Sequence, residues 1–200
     1  MAQANDYARE VFRRNGGILR MAEALAQGIS RKTLYGMRDS GAVEQLSRGT
    51  YRLASLSAPA HPDLMAAAAR VPEGVICLVS ALAYHELTTR VPKAVDIAIR
   101  QGSRAPQIDY PPVHIYRFSG NAFTEGVTSP SIGGLRVRIY SPEKSVAHAF
   151  KFRKQLGIEL VVEALRLWHE RRRKHLATLL SHARHCRVER VMTPYLDALL

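Results

Sequence analysis

Arg31, Lys32, Tyr35 and Arg38 recur at spacings of three and four. Any helix that contains them can carry them on one face. Three cations and an aromatic ring so placed suit a polyanion, because cations meet phosphates and long side chains reach base edges. Ser30 and Thr33 stand where that helix would begin, and hydroxyls beside free N–H groups at a helix start also suit phosphate. Arg48, flanked by Gly49, and Arg52 follow a short way on. Taken singly, Arg31, Lys32 and Arg38 are equally what a solvated helix face carries.

Catalytic patterns are weaker. Two-metal phosphoryl transfer needs paired carboxylates that bridge two cations. Gly102-Ser103 is followed only by a lone Asp109, with no second carboxylate two residues on. There is no G-x-S-x-G nucleophile elbow. Ser80 reads as a helix cap and His85 as a residue on that same helix. Asp96, with Arg100 on the same strand, reads as a salt-bridged carboxylate rather than nuclease chemistry, and Tyr84 and Trp168 read as packing. His182, His185 and Cys186 crowd together, with His169 and His175 upstream. Cys186 adjoins a would-be ligand rather than standing at ligand spacing, so exposed helix histidines are expected there. No catalytic residue, cofactor or metal is expected. Arg171, Arg172, Arg173 and Lys174 form a second basic cluster. It reads as the solvated end of a helix, where cations suit the dipole, or as contacts to DNA phosphates or a tRNA-like acid.

The first group needs a scaffold. Asn5 is expected to cap a helix through about Asn15, with Tyr7, Ala8, Val11 and Phe12 on its buried side. Gly16-Gly17 ends it, and Arg20 to Gln27 reads as a second helix closed by Gly28. Ser30 caps a third, Arg31 to Ser40, whose Leu34 and Met37 face a core. Ala42 to Leu46 and Thr50 to Ala54 read as strands joined by the Ser47-Arg48-Gly49 turn. Three short helices and a two-stranded ribbon are the order of a winged helix-turn-helix, whose helix after the turn enters the major groove. The small, uncharged run Ser55 to Ala60 reads as a linker. Two domains are expected: residues 1–56, binding DNA, and residues 57–200.

Beyond the linker, Pro62 starts a helix through Arg70. Val75 to Val79, Val95 to Arg100, Val113 to Phe118 and Leu135 to Tyr140 read as strands, and Ser80 caps a helix ending near Leu87. Ser141-Pro142-Glu143 is a helix start. One helix carries Val146, Ala149, Phe150 and Leu156, the next Ile158, Val161, Leu165 and Trp168. A third carries Leu176, Leu179 and Ala183, and a short last one runs from Pro194 to Leu200. The expected fold class is α+β: a winged helix-turn-helix, then an α/β domain with a small mixed sheet and several helices.

Bulk properties agree. The chain has 200 residues, 29 Lys and Arg against 17 Asp and Glu, and a formal net charge of +12. Such a surplus favours a polyanionic partner. It divides as +4 over residues 1–58, +2 over 59–144 and +6 over 145–200. No apolar run approaches the ~18 residues of a membrane helix. The N-terminus lacks a secretory pattern, and Cys77 and Cys186 suggest no disulfide framework, so a cytoplasmic location is expected.

GILRMAEALAQGISRKTLYGMRDSGAVEQLSRGTYRLA resembles the N-terminal winged-helix domain of the AbiEi family of antitoxins. ICLVSALAYHELTTRVPKAVDIAI, VRIYSPEKSVAHAFKFRKQLGIELVVEALR and VERVMTPYLDALL resemble its C-terminal domain and closing segment. The resemblance implies a non-enzymatic repressor and antitoxin of a type IV phage-defence toxin–antitoxin system. Its N-terminal domain would bind inverted-repeat operator DNA, two copies at a time, and repress its own operon. Its C-terminal domain would counter an AbiEii-like, nucleotidyltransferase-like toxin. Carried over, the DNA-contacting residues are Ser30, Arg31, Lys32, Thr33, Tyr35, Arg38, Arg48 and Arg52. The family's SPxKT-like motif usually continues with an Asp where this chain has His148. The alternative is a protein- or RNA-binding module, or a degenerate nuclease, with a DNA-binding N-terminal domain and no cognate toxin.

Overall fold

The computed structural model describes residues 2–55 and 61–199. Helix α1 (Ala2–Arg14) buries Ala8, Val11 and Phe12. It starts three residues before Asn5, so Asn5 lies inside it rather than capping it. The alanines and glutamine before Asn5 are good helix formers and extend the helix backwards. Tyr7 is not on the buried side. Its ring is exposed and its hydroxyl donates to the Gln27 carbonyl at 2.9 Å.

Strand β1 (Ile18–Arg20) has no counterpart in the sequence reading, since three residues are too few to show alternation. Next come α2 (Met21–Ala26) and α3 (Arg31–Asp39). Strands β2 (Val43–Ser47) and β3 (Thr50–Leu53) turn at Arg48-Gly49. The sheet is antiparallel in the order β1-β3-β2, with Leu19 opposite Tyr51 and Val43 opposite Leu53. Its core joins Phe12, Leu19, Ala24, Ile29, Leu34, Met37, Val43, Tyr51 and Leu53. This helix–strand–helix–helix–ribbon order is compatible with a winged helix. The expected linker and the boundary between 56 and 57 fall on residues 56–60, outside the described residues. Pro62 starts α4 (Pro62–Arg70), as expected.

Strand β4 is only Val75–Ile76, and α5 (Leu78–Tyr84) begins at once, so the expected five-residue strand is cut short. Ser80 is not the cap. The Asp96 carboxylate accepts from the Val79 and Ser80 amides at 3.0 and 3.4 Å and so caps α5 from another element. In return Ser80 Oγ accepts from the Asp96 amide at 2.9 Å. Strands β5 (Val95–Arg100) and β6 (Val113–Phe118) pair in parallel, and α6 (Gly120–Thr124) leads to β7 (Val127–Thr128).

The alternating Leu135 to Tyr140 run is two strands, not one. A hairpin joins β8 (Ser131–Ile132) to β9 (Leu135–Arg136), whereas β10 (Ile139–Tyr140) enters a mixed sheet ordered β6-β5-β4-β10-β7. Alternation shows which face a side chain takes but not which sheet a strand joins. Helix α7 (Pro142–Lys151) is capped by Ser141, whose hydroxyl accepts from the Lys144 amide at 3.2 Å. It breaks at Phe152 before α8 (Arg153–Leu156), so the expected single helix is two. Then follow α9 (Ile158–His169), α10 (Leu176–His185) and α11 (Glu189–Asp197). Pro194 lies inside α11 rather than starting it. Buried Met192 and Leu196 hold that helix despite the backbone bond a proline cannot make.

The chain forms two compact units. The first runs through Pro72 and takes back Pro130–Val137, and the second comprises Glu73–Ser129 and Arg138–Leu200. In the second, α7 is buried on every side, from Glu143 to Phe150. Both cysteines are buried and free. Among the described residues, no helix is long and apolar enough to cross a membrane.

In the first unit the β8–β9 turn lies backbone to backbone on Gly16. Gly134 has φ +90°, and a Cβ there would fall 1.7 Å from the Gly16 carbonyl oxygen. Gly134→Ala is therefore expected to cost about 1–3 kcal/mol, read as a lower thermal midpoint. An unchanged midpoint would mean the contact contributes nothing.

Candidate nucleic-acid interface

Helix α3 is split cleanly along its length. Leu34 and Met37 are fully buried, and this fixes its rotation about its own axis. Arg31, Lys32, Tyr35 and Arg38 then face solvent, with Thr33 half-buried at the edge. Ser30 caps the helix: its Oγ accepts from the Thr33 amide at 3.0 Å and lies 2.9 Å from Thr33 Oγ1. Both hydroxyls thus sit at the helix start beside amides that have no intrahelical acceptor. Arg38 is held in place. Its guanidinium stands 5.1 Å from the centroid of the Tyr35 ring, and its Nη2 donates to Asp39 Oδ1 at 2.7 Å. The Asp39 hydrogen bond also raises its pKa further. Any anion it meets competes with Asp39.

Arg48 is exposed at the tip of the β2–β3 turn. Arg52 is placed differently from the other seven candidates. It is 4% exposed, on the central strand of the sheet, with Nη1 3.4 Å from Glu44 Oε2. Arg48 lies in the turn outside the strands, whereas Arg52 lies on β3, which is buried on both faces; the sequence does not reveal that β1 flanks β3 on its other edge.

The second basic cluster is divided. Arg171 donates to the His85 carbonyl at 2.6 Å, and Lys174 Nζ to the His169 carbonyl. Arg172 and Arg173 are exposed. Two of the four cations are therefore engaged in holding backbone carbonyls.

Asp96 stands beside a groove of about 520 Å³, whose polar lining includes Arg90, Lys93, His114, Tyr116 and Gln155. His114 Nδ1 lies 3.1 Å from its Oδ1. Burial raises the Asp96 pKa, and the His114 and Ser80 bonds oppose that rise. Asp96 is the one carboxylate among the described residues that line this groove. Its oxygens are already engaged by two amides and an imidazole, which is a structural arrangement. Its role as a remote cap was not legible in the sequence, where Ser80 reads as the cap; in the structure Cys77 holds the cap position and makes no side-chain cap bond.

At the centre of the second unit, His148 stacks on Phe118 at 4.8 Å and meets Tyr140 edge-on at 4.8 Å. Among the described residues, neither of its ring nitrogens has a hydrogen-bond partner, nor does Lys144 Nζ one turn earlier. Lys144 Nζ stands 5.8 Å from the centroid of the Tyr140 ring. Positions 144 and 148 stand at ion-pair spacing on a helix. His148 offers Lys144 no carboxylate at that spacing. His182, expected to be exposed, is 8% exposed instead, because α10 packs this face toward α7.

Together, a basic exposed helix face behind a cap and a basic turn tip make a surface whose charge suits a polyanion. The comparisons with known proteins point the same way. Residues 6–54 match a family model described as a transcriptional regulator, AbiEi antitoxin. That match supports a regulator of the antitoxin kind as the general kind of function, and the family is not one of enzymes. The resemblance read from the sequence is thereby borne out over the N-terminal helices and strands. A search of curated proteins found no match. Among solved structures the chain is similar to the RV2827C protein from Mycobacterium tuberculosis, at 16% identity and a TM-score of 0.52. The likeness covers 98% of this chain and 80% of that one, and at this identity it speaks for the α+β fold alone.

Burial, with Lys144 and Lys151 alongside, holds the His148 pKa well below the usual 6.5. The folded state then binds fewer protons than the unfolded state once pH falls below about 6.5, so stability drops on the acid side. His148→Phe keeps the stack on Phe118 and removes this titration. Between pH 7.5 and 5.5 the urea midpoint of the wild type is expected to fall more than that of His148→Phe. Equal falls would place the acid sensitivity elsewhere.

Proposed function

We propose that this chain represses transcription by occupying operator DNA, and that it is the antitoxin half of a type IV toxin–antitoxin pair used in phage defence. The α3 face lies in the major groove. Arg31 and Lys32 meet phosphates or base edges near the helix start, Ser30 and Thr33 bind phosphate, and Tyr35 and Arg38 reach inward. Arg48, at the turn tip, touches backbone phosphate. Two copies occupy an inverted repeat upstream of their own operon. The second unit counters an AbiEii-like, nucleotidyltransferase-like toxin, and the exposed Arg172 and Arg173 offer cations to an acidic partner. The observation that carries this reading is the orientation of α3, which buries Leu34 and Met37 and leaves its cations outward. The degenerate-nuclease alternative needs a second carboxylate beside Asp96, and the groove lining supplies none.

Binding to the chain's own upstream DNA, titrated over a range of salt against a scrambled duplex, tests the reading. Arg38→Ala is expected to weaken binding to the upstream duplex by about 1–3 kcal/mol, as for a base-reading arginine. Arg48→Ala is expected to weaken both duplexes alike and to lower the salt slope by about one. Arg52→Ala is expected to act mainly on stability, since its side chain is buried against Glu44. Equal affinity of the wild type for both duplexes would contradict operator recognition.

A further inference from the structure

Helix α10 carries His182 and His185 three residues apart, so both rings share one face. Glu125, in the segment between α6 and β7, meets them there. One ligand atom from each of the three lies within 4.8 Å of the other two. His185 Nδ1 is 2.8 Å from Glu125 Oε2. His182 is 8% exposed, and its Nδ1 has no hydrogen-bond partner. The other two side chains are 50% and 32% exposed, so the cluster opens to solvent on one side.

The backbone is built to bring Glu125 this close. Gly126 has φ +72°, and a Cβ there would lie 2.9 Å from Lys144 Cβ and 3.1 Å from His182 Nε2. Only a residue without a side chain lets the segment lie on α7 and α10 at this distance. The Ser141 amide donates to the Gly126 carbonyl at 2.7 Å and pins it.

We propose that Glu125, His182 and His185 bind a divalent transition-metal ion of the zinc class. Two imidazoles and a carboxylate are a nitrogen-rich set that suits such ions, with bonds of about 2.0–2.2 Å. The set has too few oxygens for calcium or magnesium. The three ligand atoms already lie within 4.8 Å of one another, and the exposed side of the cluster would leave a position for water. A ligating imidazole must be neutral, so binding is expected to weaken as pH falls. Cys186, though adjacent and buried, is not part of the cluster. The ion would tie the last turn of α10 to the segment before β7.

The test is calorimetric titration of the untagged full chain with Zn²⁺, beside the visible spectrum of the Co²⁺-loaded chain. The expected result is one Zn²⁺ per chain, a higher thermal midpoint with Zn²⁺, and at least tenfold weaker binding in His185→Ala and Glu125→Gln. Both substitutions fall on partly exposed side chains, and thermal melts without metal check that the variants fold. The Co²⁺ spectrum should show weak visible bands and no thiolate charge-transfer band. No Zn²⁺ binding by the wild type, or equal binding by the wild type and both variants, would overturn the proposal. A thiolate band would overturn the ligand set by making Cys186 a ligand.

Discussion

The burial of Leu34 and Met37 decides how α3 is turned. Both side chains are fully enclosed in the core of the first unit. Full burial of each contributes about 1.5–3 kcal/mol. Rolling the helix to hide its cations would lose that and would bury unpaired charge. With the roll fixed, Arg31, Lys32, Tyr35 and Arg38 have nowhere to face but solvent. The Ser30 cap sets where the helix starts, so its free amides and hydroxyls lie at one end of the same face.

A different constraint governs the second unit, because α7 is enclosed on all sides. Every polar group on it must find a partner inside the protein. Glu143 does so, accepting from Trp168 Nε1 at 3.2 Å. His85 donates to the Tyr140 carbonyl at 2.7 Å at the edge of the same region. Lys144 Nζ and the His148 ring make no hydrogen bond among the described residues, and burial pushes each toward its neutral form. The helix is thus held by apolar packing and aromatic stacking.

Much of the first unit was legible because its signals are local. Ser30 caps α3, Gly41 follows its end, and the Arg48-Gly49 turn lies between two alternating runs. Strand β1 was not legible, because Ile18 to Arg20 owe their extended state to pairing with β3 rather than to their own pattern. For the same reason Arg52 read as an outward wing cation, although it sits on the central strand. In the second unit the failures are non-local too. The cap of α5 comes from Asp96, sixteen residues beyond Ser80. The Leu135 to Tyr140 run is shared between two sheets. Glu125 lies far in sequence from His182 and His185, and no spacing rule links a loop carboxylate to a later helix. The two histidines were visible as a pair, but their third member was not.

The central claim is that α3 and the turn tip form the nucleic-acid interface. The most direct measurement is amide chemical-shift mapping on the isotopically labelled full chain, titrated with its upstream duplex. The account predicts that the largest shifts cluster at residues 30–38 and at Arg48 and Gly49, with small shifts at 171–174. Shifts concentrated at 171–174, or spread evenly over exposed arginines, would contradict it.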